Sequence, residues 1–347
     1  MKNIFILMFL VLTMLTGLIG CRQQEPVTLR MMTHDSFDIA AETMARFTEE
    51  TGIAVEVFKA GDAGAMVNQA ALAAADPLAD VIFGVDNTFL SRAISNDIFI
   101  PYESPVLAEI SDDLKLDPQN RALPVDFGDV CLNYDRKWFA ANSLEPPQSL
   151  DDLIDPAYAG LTVVENAATS SPGLAFLLAT IDTYGEDGYL DYWQKLVTND
   201  VLVTDGWEDA YYGAFSASSE GNRPIVVSYA SSPPAEVFFA ETELEVAPTA
   251  AVISDGSCFR QVEFAGILKG TEHEEEARQL VDFLLSRPFQ EDIPLHMFVY
   301  PANENAQLPA VFLDHSQVPE NPASISPEEI AAKREAWVQA WTETVIR

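Results

Sequence analysis

The residues best suited to chemistry are aromatic and acidic, and they are interleaved. Asp205-Gly206-Trp207-Glu208-Asp209-Ala210-Tyr211-Tyr212 sets an indole and two phenols among three carboxylates. Tyr229 closes an apolar run, and Phe298 and Tyr300 precede Pro301. Ring faces beside carboxylates suit a flat cationic heteroaromatic guest, held by stacking and cation–π attraction. Trp207 follows a glycine in a polar stretch, which favours a ligand. For Phe298 and Tyr300, burial in the core is the competing reading. Catalytic patterns are missing. The four histidines are His34, His273, His296 and His315. His34-Asp35-Ser36 has the letters of a triad, but adjacent residues cannot adopt triad geometry. No GxSxG elbow, HExxH, Walker A loop or GxGxxG occurs. The chain is therefore expected to bind rather than turn over, with no catalytic residue, metal site or cofactor.

These residues need a scaffold, and the periodicity predicts an α/β one. Thr28–Thr33 reads as a strand, followed by a helix from an N-cap at Ser36 to Glu50, stopped by Gly52. Ala54–Phe58 is a second strand, Ala65–Ala75 a helix, and Asp80–Gly84 a third strand. Strands alternating with helices imply a parallel sheet with crossovers. Ligands of such sheets sit beyond the carboxyl ends of the strands. That points to His34-Asp35-Ser36, Ala60 to Gly64, and Val85-Asp86-Asn87, although each loop could be ordinary helix capping.

A second lobe is predicted after Asp126. Its strands are Val130–Tyr134, Leu161–Val164 and Ile225–Tyr229, and its helices follow Thr169-Ser170-Ser171-Pro172-Gly173 and Ser231-Ser232-Pro233-Pro234. Near Gln261–Ala265 the chain returns to the first lobe. The next helix has Thr271 and Glu274 as a capping box and Ala277, Leu280, Val281, Leu284 and Leu285 as its buried stripe. A Pro-rich link from Pro309 to Pro327 leads to a terminal helix, Glu328 to about Thr344. The expected division is 27–126, 127–257 and a return over 258–347.

The N-terminus reads as a lipoprotein leader over residues 1–20. Lys2 supplies the positive start and Ile4 to Ile19 an uncharged apolar run too short for a comfortable span. Leu18-Ile19-Gly20-Cys21 matches the pattern in which a cysteine is acylated after cleavage, with residues 21–26 as a tether. The remaining chain is expected outside the cytoplasm, anchored to the membrane by lipid. The net charge of −35 argues against nucleic acid, which needs a basic face. It is compatible with a cationic ligand, but such charge is also an ordinary solubility trait.

Taken in order, several short runs resemble the thiamine-binding proteins of ABC importers, within the class of two-lobed solute-binding proteins. The resemblance covers about Val27 to Arg347. It is carried by Asp35-Ser36-Phe37, Ala79 to Asn87, Asn133-Tyr134-Asp135, Pro146 to Leu150, Ser171-Pro172-Gly173-Leu174, Gly206 to Tyr211, Ser228-Tyr229 with Ser232-Pro233, Gln261-Val262-Glu263, and Tyr300-Pro301. It implies the type II periplasmic-binding-protein fold with a cleft between lobes, and thiamine or a thiamine phosphate as ligand. It further implies ABC permease subunits as partners and a monomer. By position, the loops with Asp62 and Ala63 and with Ser170 would meet the polar or phosphate end. Trp207 and Tyr229 would line the ring site, with Tyr211 and Phe298 near it, and Asp35, Ser36, Asp86 and Asn87 would border the first-lobe wall. The sequence departs from that family at His34 and Phe298, at Ala63 beside Gly64, and at Ala235.

With Cys21 assigned to the lipid, Cys131 and Cys258 remain, each near a point where the implied fold crosses between lobes. They are read either as a disulfide across adjacent crossovers or as two buried thiols. Rival ligands on the same fold are ferric iron, a polyamine or an anion. A surface sensor is the rival of another class.

Overall fold

The first three strands emerge where the pattern of apolar residues places them, in a computed structural model that describes residues 27–347. The expected leader, the cysteine expected to carry lipid (Cys21) and the expected tether lie outside the described residues. β1 (Thr28–Thr33), β2 (Ala54–Lys59) and β3 (Val81–Asp86) pair in parallel, with β1 between the other two. All six residues of β3 are buried, as expected of a strand covered on both faces. β4 is short (Phe99–Ile100), whereas β5 runs for 13 residues, Leu123–Asp135. β6 (Thr162–Glu165), β7 (Leu202–Thr204) and β8 (Ile225–Tyr229) form a second parallel group. β9 (Thr249–Val252), β10 (Phe259–Leu268) and β11 (Tyr300–Pro301) complete the strands.

The order β2-β1-β3-β10-β5-β8-β6-β7 shows how the halves join. β5 and β10 run antiparallel between the two parallel groups, and each half is built outward from one side of that pair. The Val130–Tyr134 segment is thus the far end of a longer strand. Cys131 and Cys258 sit one residue beyond the Val130–Phe259 pair, with Cα atoms 4.3 Å apart, and are joined as a disulfide. The terminal helix Pro327–Val345 packs on helix Tyr189–Thr198 of the second half and helix Leu90–Ser95 of the first. Among the described residues, no helix is long and apolar enough to cross a membrane.

Three of the helix starts that differ from expectation have an identifiable side-chain cause. The first helix is Ala41–Thr51, and Ser36 does not cap it. Its N-terminus is capped from a distance, because Asp292 accepts from the Ala40 N–H and the Thr43 hydroxyl, both at 2.8 Å. This leaves residues 34–40 free to form a wall. The next helix, Ala63–Leu72, begins earlier than expected because the Asp62 carboxylate accepts from the Ala63 N–H at 2.8 Å. The box at Thr271 and Glu274 does not form. Thr271 instead donates to Asp80 and accepts from the His273 N–H, and the helix Glu274–Leu285 starts without a side-chain cap. Its stripe of Ala277, Leu280, Val281, Leu284 and Leu285 is buried as expected. Gly52 does stop the first helix, at φ 74°, where a left-handed residue turns its N–H back to the Thr48 carbonyl.

Candidate ligand-binding cleft

Between the halves lies a cavity of about 320 Å³. Its first-half wall comes from the carboxyl ends of β1 and β2. His34 leaves β1, and its ring lies over Gly84, whose φ of +91° and missing side chain make the room; any Cβ there would strike the imidazole. His34 Nε2 is 3.3 Å from Glu263 of β10. Asp62 and Ala63 line the cleft where β2 gives way to a helix N-terminus, and Ser36 and Asp38 complete this wall.

The second-half wall is aromatic. Trp207 stacks on Tyr211 at 4.9 Å and 21°, and meets Tyr212 edge-on at 5.4 Å. Its indole N–H donates to the Ser228 hydroxyl at 2.9 Å. A π-helical turn, Asp209–Ala214, brings both tyrosines under the indole. The Tyr211 hydroxyl donates to Glu236 at 2.6 Å, and Glu236 also accepts from Thr249. Burial, offset in part by these bonds, pushes the Glu236 carboxyl up to about 7. Tyr229 reaches across to donate to Gln261 at 2.8 Å. Phe298 adopts φ 54°, an uncommon conformation for a bulky residue, and the Ser231 hydroxyl donates to its carbonyl at 2.6 Å.

Charge is one-sided here. Asp38, Asp62, Glu208 and Glu263 line the cleft, and among the described residues no lysine or arginine does. Behind the lining, Asp86, Asp126 and Glu165 are fully buried. Glu263 stands in register between Asp86 on β3 and Asp126 on β5. Burial raises the Asp86 carboxyl despite donors from Ser171 and Thr88, and raises Asp126 and Glu165 well above the usual range. Both carboxyl oxygens of Asp126 and of Glu165 lack a hydrogen-bond partner. Burial likewise raises Asp62. Withdrawing this many acids from water is costly unless protons or a bound cation offset the charge. Among the described residues, no group of three His, Cys, Asp or Glu is arranged to hold a metal ion.

Of the residues singled out from sequence, Ser36, Asp62, Ala63, Trp207, Tyr211, Tyr229 and Phe298 line the cavity. Four others do not. Asp35 turns away and accepts from the Gly61 N–H. Asn87 ties β3 to β10 through bonds with Arg260 and Val262. Asp86 lies behind the wall and accepts from Ser171, a hydrogen bond that joins the two halves. Ser170 is buried, its hydroxyl without a partner. Tyr300 belongs to the core, stacked on Phe127 at 5.3 Å. Sequence reasoning missed Gln261, Glu263, Ser171, Phe239 and His296 as lining residues. The signal for the first two was strand alternation, which puts residues 261 and 263 on one face.

Residues 76–319 match the model of the bacterial extracellular solute-binding protein family. The thiamine-binding periplasmic protein of Escherichia coli (strain K12) is 31% identical over 330 residues, covering 93% of this chain and 94% of that one. Its counterpart in Salmonella typhimurium is 30% identical over 329 residues, covering 93% and 94%. A solved periplasmic thiamin binding protein superposes with a TM-score of 0.78 at 27% identity, covering 92% of this chain and 96% of that one. The architecture is that of the two-lobed, type II periplasmic binding proteins. A cleft between two α/β halves and this likeness along nearly the whole chain agree: the chain belongs to the bacterial extracellular solute-binding proteins, among the thiamine-binding periplasmic group.

Proposed function

We propose that this chain is the solute-binding component of an ABC importer, capturing thiamine or a thiamine phosphate outside the cytoplasm. The observation that carries the reading is the pairing of an indole–phenol platform, Trp207 on Tyr211, with an inter-lobe cleft lined, among the described residues, by four carboxylates and no lysine or arginine. A thiazolium is flat, permanently cationic and aromatic. It can stack on the platform while the acids offset its charge. The action is binding without turnover. Closure of the halves around the guest would give the permease a distinct form to recognise. The Leu18-Ile19-Gly20-Cys21 run supports a leader removed before Cys21 and a lipid anchor on that cysteine. More than one acyl chain on it would make anchoring durable. The protein acts as a monomer in this reading.

Titration calorimetry of residues 22–347 with thiamine, its mono- and diphosphate, and spermidine tests the proposal. Saturable one-to-one binding of a thiamine compound, with spermidine at least about tenfold weaker, is expected. Binding of spermidine in preference, or of none of the four, would overturn it.

A further inference from the structure

The cleft has a charge problem that its acids alone do not solve. A bare cationic ring is well served by Asp38, Asp62, Glu208 and Glu263, whereas a phosphate tail brings negative charge to the same walls. Ion pairing of that tail to lysine or arginine is not offered by any lining residue among those described. His34 can supply a positive charge, and its setting is specific. Its ring is wedged over Gly84, 6.1 Å from the Phe83 ring, and largely buried. It contacts Glu263 of β10 at 3.3 Å and lies in the fields of Asp62, at the start of helix Ala63–Leu72, and of Asp86 on β3. On its flank Lys59 donates to the Asp35 carbonyl and so points out of the cleft.

We propose that the His34–Glu263 pair sets which form of the guest the cleft prefers, the bare cation when the imidazole is neutral and the phosphate ester when it is an imidazolium. With His34 neutral, Glu263 presents an uncompensated carboxylate to the cationic ring. With His34 protonated, Glu263 is offset by its partner. The imidazolium then adds positive charge beside the Asp62–Ala63 helix start, the positive end of the helix dipole. Burial by itself disfavours the imidazolium, but the carboxylates of Glu263, Asp62 and Asp86 outweigh it and hold the imidazolium to higher pH than an ordinary histidine. The switch therefore falls at a higher pH than that at which an ordinary histidine titrates. The inference rests on the thiamine reading above and adds a selector to it.

The test is calorimetry with thiamine and thiamine monophosphate between about pH 7 and about pH 9, above the second phosphate ionisation near pH 6. Wild type and His34→Gln, which keeps a neutral donor toward Glu263, are compared. In the wild type the ratio of ester affinity to thiamine affinity is expected to fall by about threefold to tenfold as pH rises, the size of one charge–charge interaction at about 4 Å screened as in water. In His34→Gln the ratio should stay flat. An equal slope in both proteins, or a flat wild-type ratio, would overturn the selector while leaving thiamine as the ligand. A second readout needs no ligand. The His34 ring titration, followed by NMR in the free protein, should move to lower pH in Glu263→Gln. No movement would overturn the pairing, whatever the calorimetry shows.

Discussion

The two walls of the cleft are built by different means. The first-half wall is polar, and its residues sit where β1 and β2 end, so backbone geometry positions them: His34 over Gly84, Asp62 capping a helix. The second-half wall is aromatic, and its rings are positioned by one another and by single hydrogen bonds, Trp207 to Ser228 and Tyr211 to Glu236. The polar wall can therefore select by charge with little movement. The aromatic wall offers area and shape, and it depends on side-chain packing that one substitution can undo. Carboxylates opposite rings make a site for a flat cation; either wall alone would make a much less specific one.

That contrast can be broken at the place where both walls hang. Replacing Cys131 and Cys258 together by alanine removes a bridge spanning 127 residues. The loss expected from chain entropy is on the order of 4–5 kcal/mol, read by denaturant unfolding. A loss below about 1 kcal/mol would mean that strand pairing of β5 with β10 suffices to align the walls. A smaller effect separates the walls by pH. The Glu236 carboxyl is raised to about 7 in the folded state from 4.5, so the native form binds the extra proton. Its contribution to stability is full below about pH 4.5 and is lost as pH rises through about 7, up to roughly 3 kcal/mol. Glu236→Gln should remove that slope from a stability-against-pH curve; an unchanged slope would place the titrating acid on the other wall. The smallest expected effect is on binding alone. Trp207→Ala should weaken thiamine by roughly 1–3 kcal/mol in calorimetry. Unchanged affinity would mean that the ring of the guest rests elsewhere.

The aromatic wall was more legible in the sequence than the polar one. Trp207 and Tyr211 could be found because an indole after a glycine amid acids is conspicuous within a short run. Tyr229 could be found because it ends an unmistakable strand. On the polar wall two of the three loops supply lining residues, Ser36 from one and Asp62 and Ala63 from the next, but not every residue singled out there faces the cleft. Asp35 and Asn87 looked like ligands and are occupied with the backbone of Gly61 and Val262. His34 and Glu263, neither of them named as a site residue from the sequence, meet across 229 positions. The helix starts misled for the same reason. Asp292 caps the helix Ala41–Thr51 from a point that local pattern cannot see.

Local chemistry along the chain was enough to determine β1, β2, β3, β6 and β8, the alternation of strand and helix, and the acidic and aromatic character of the site. Those properties depend on residues close in sequence, through propensity, periodicity and turn chemistry. Only the tertiary structure decided which loop residues face the cleft, which acids are sealed behind it, and that β5 and β10 bring Cys131 to Cys258 and Glu263 between Asp86 and Asp126. The physical reason is that burial and pairing are set by contacts between distant segments. The same carboxylate is a solvated surface charge or a buried acid according to what packs against it.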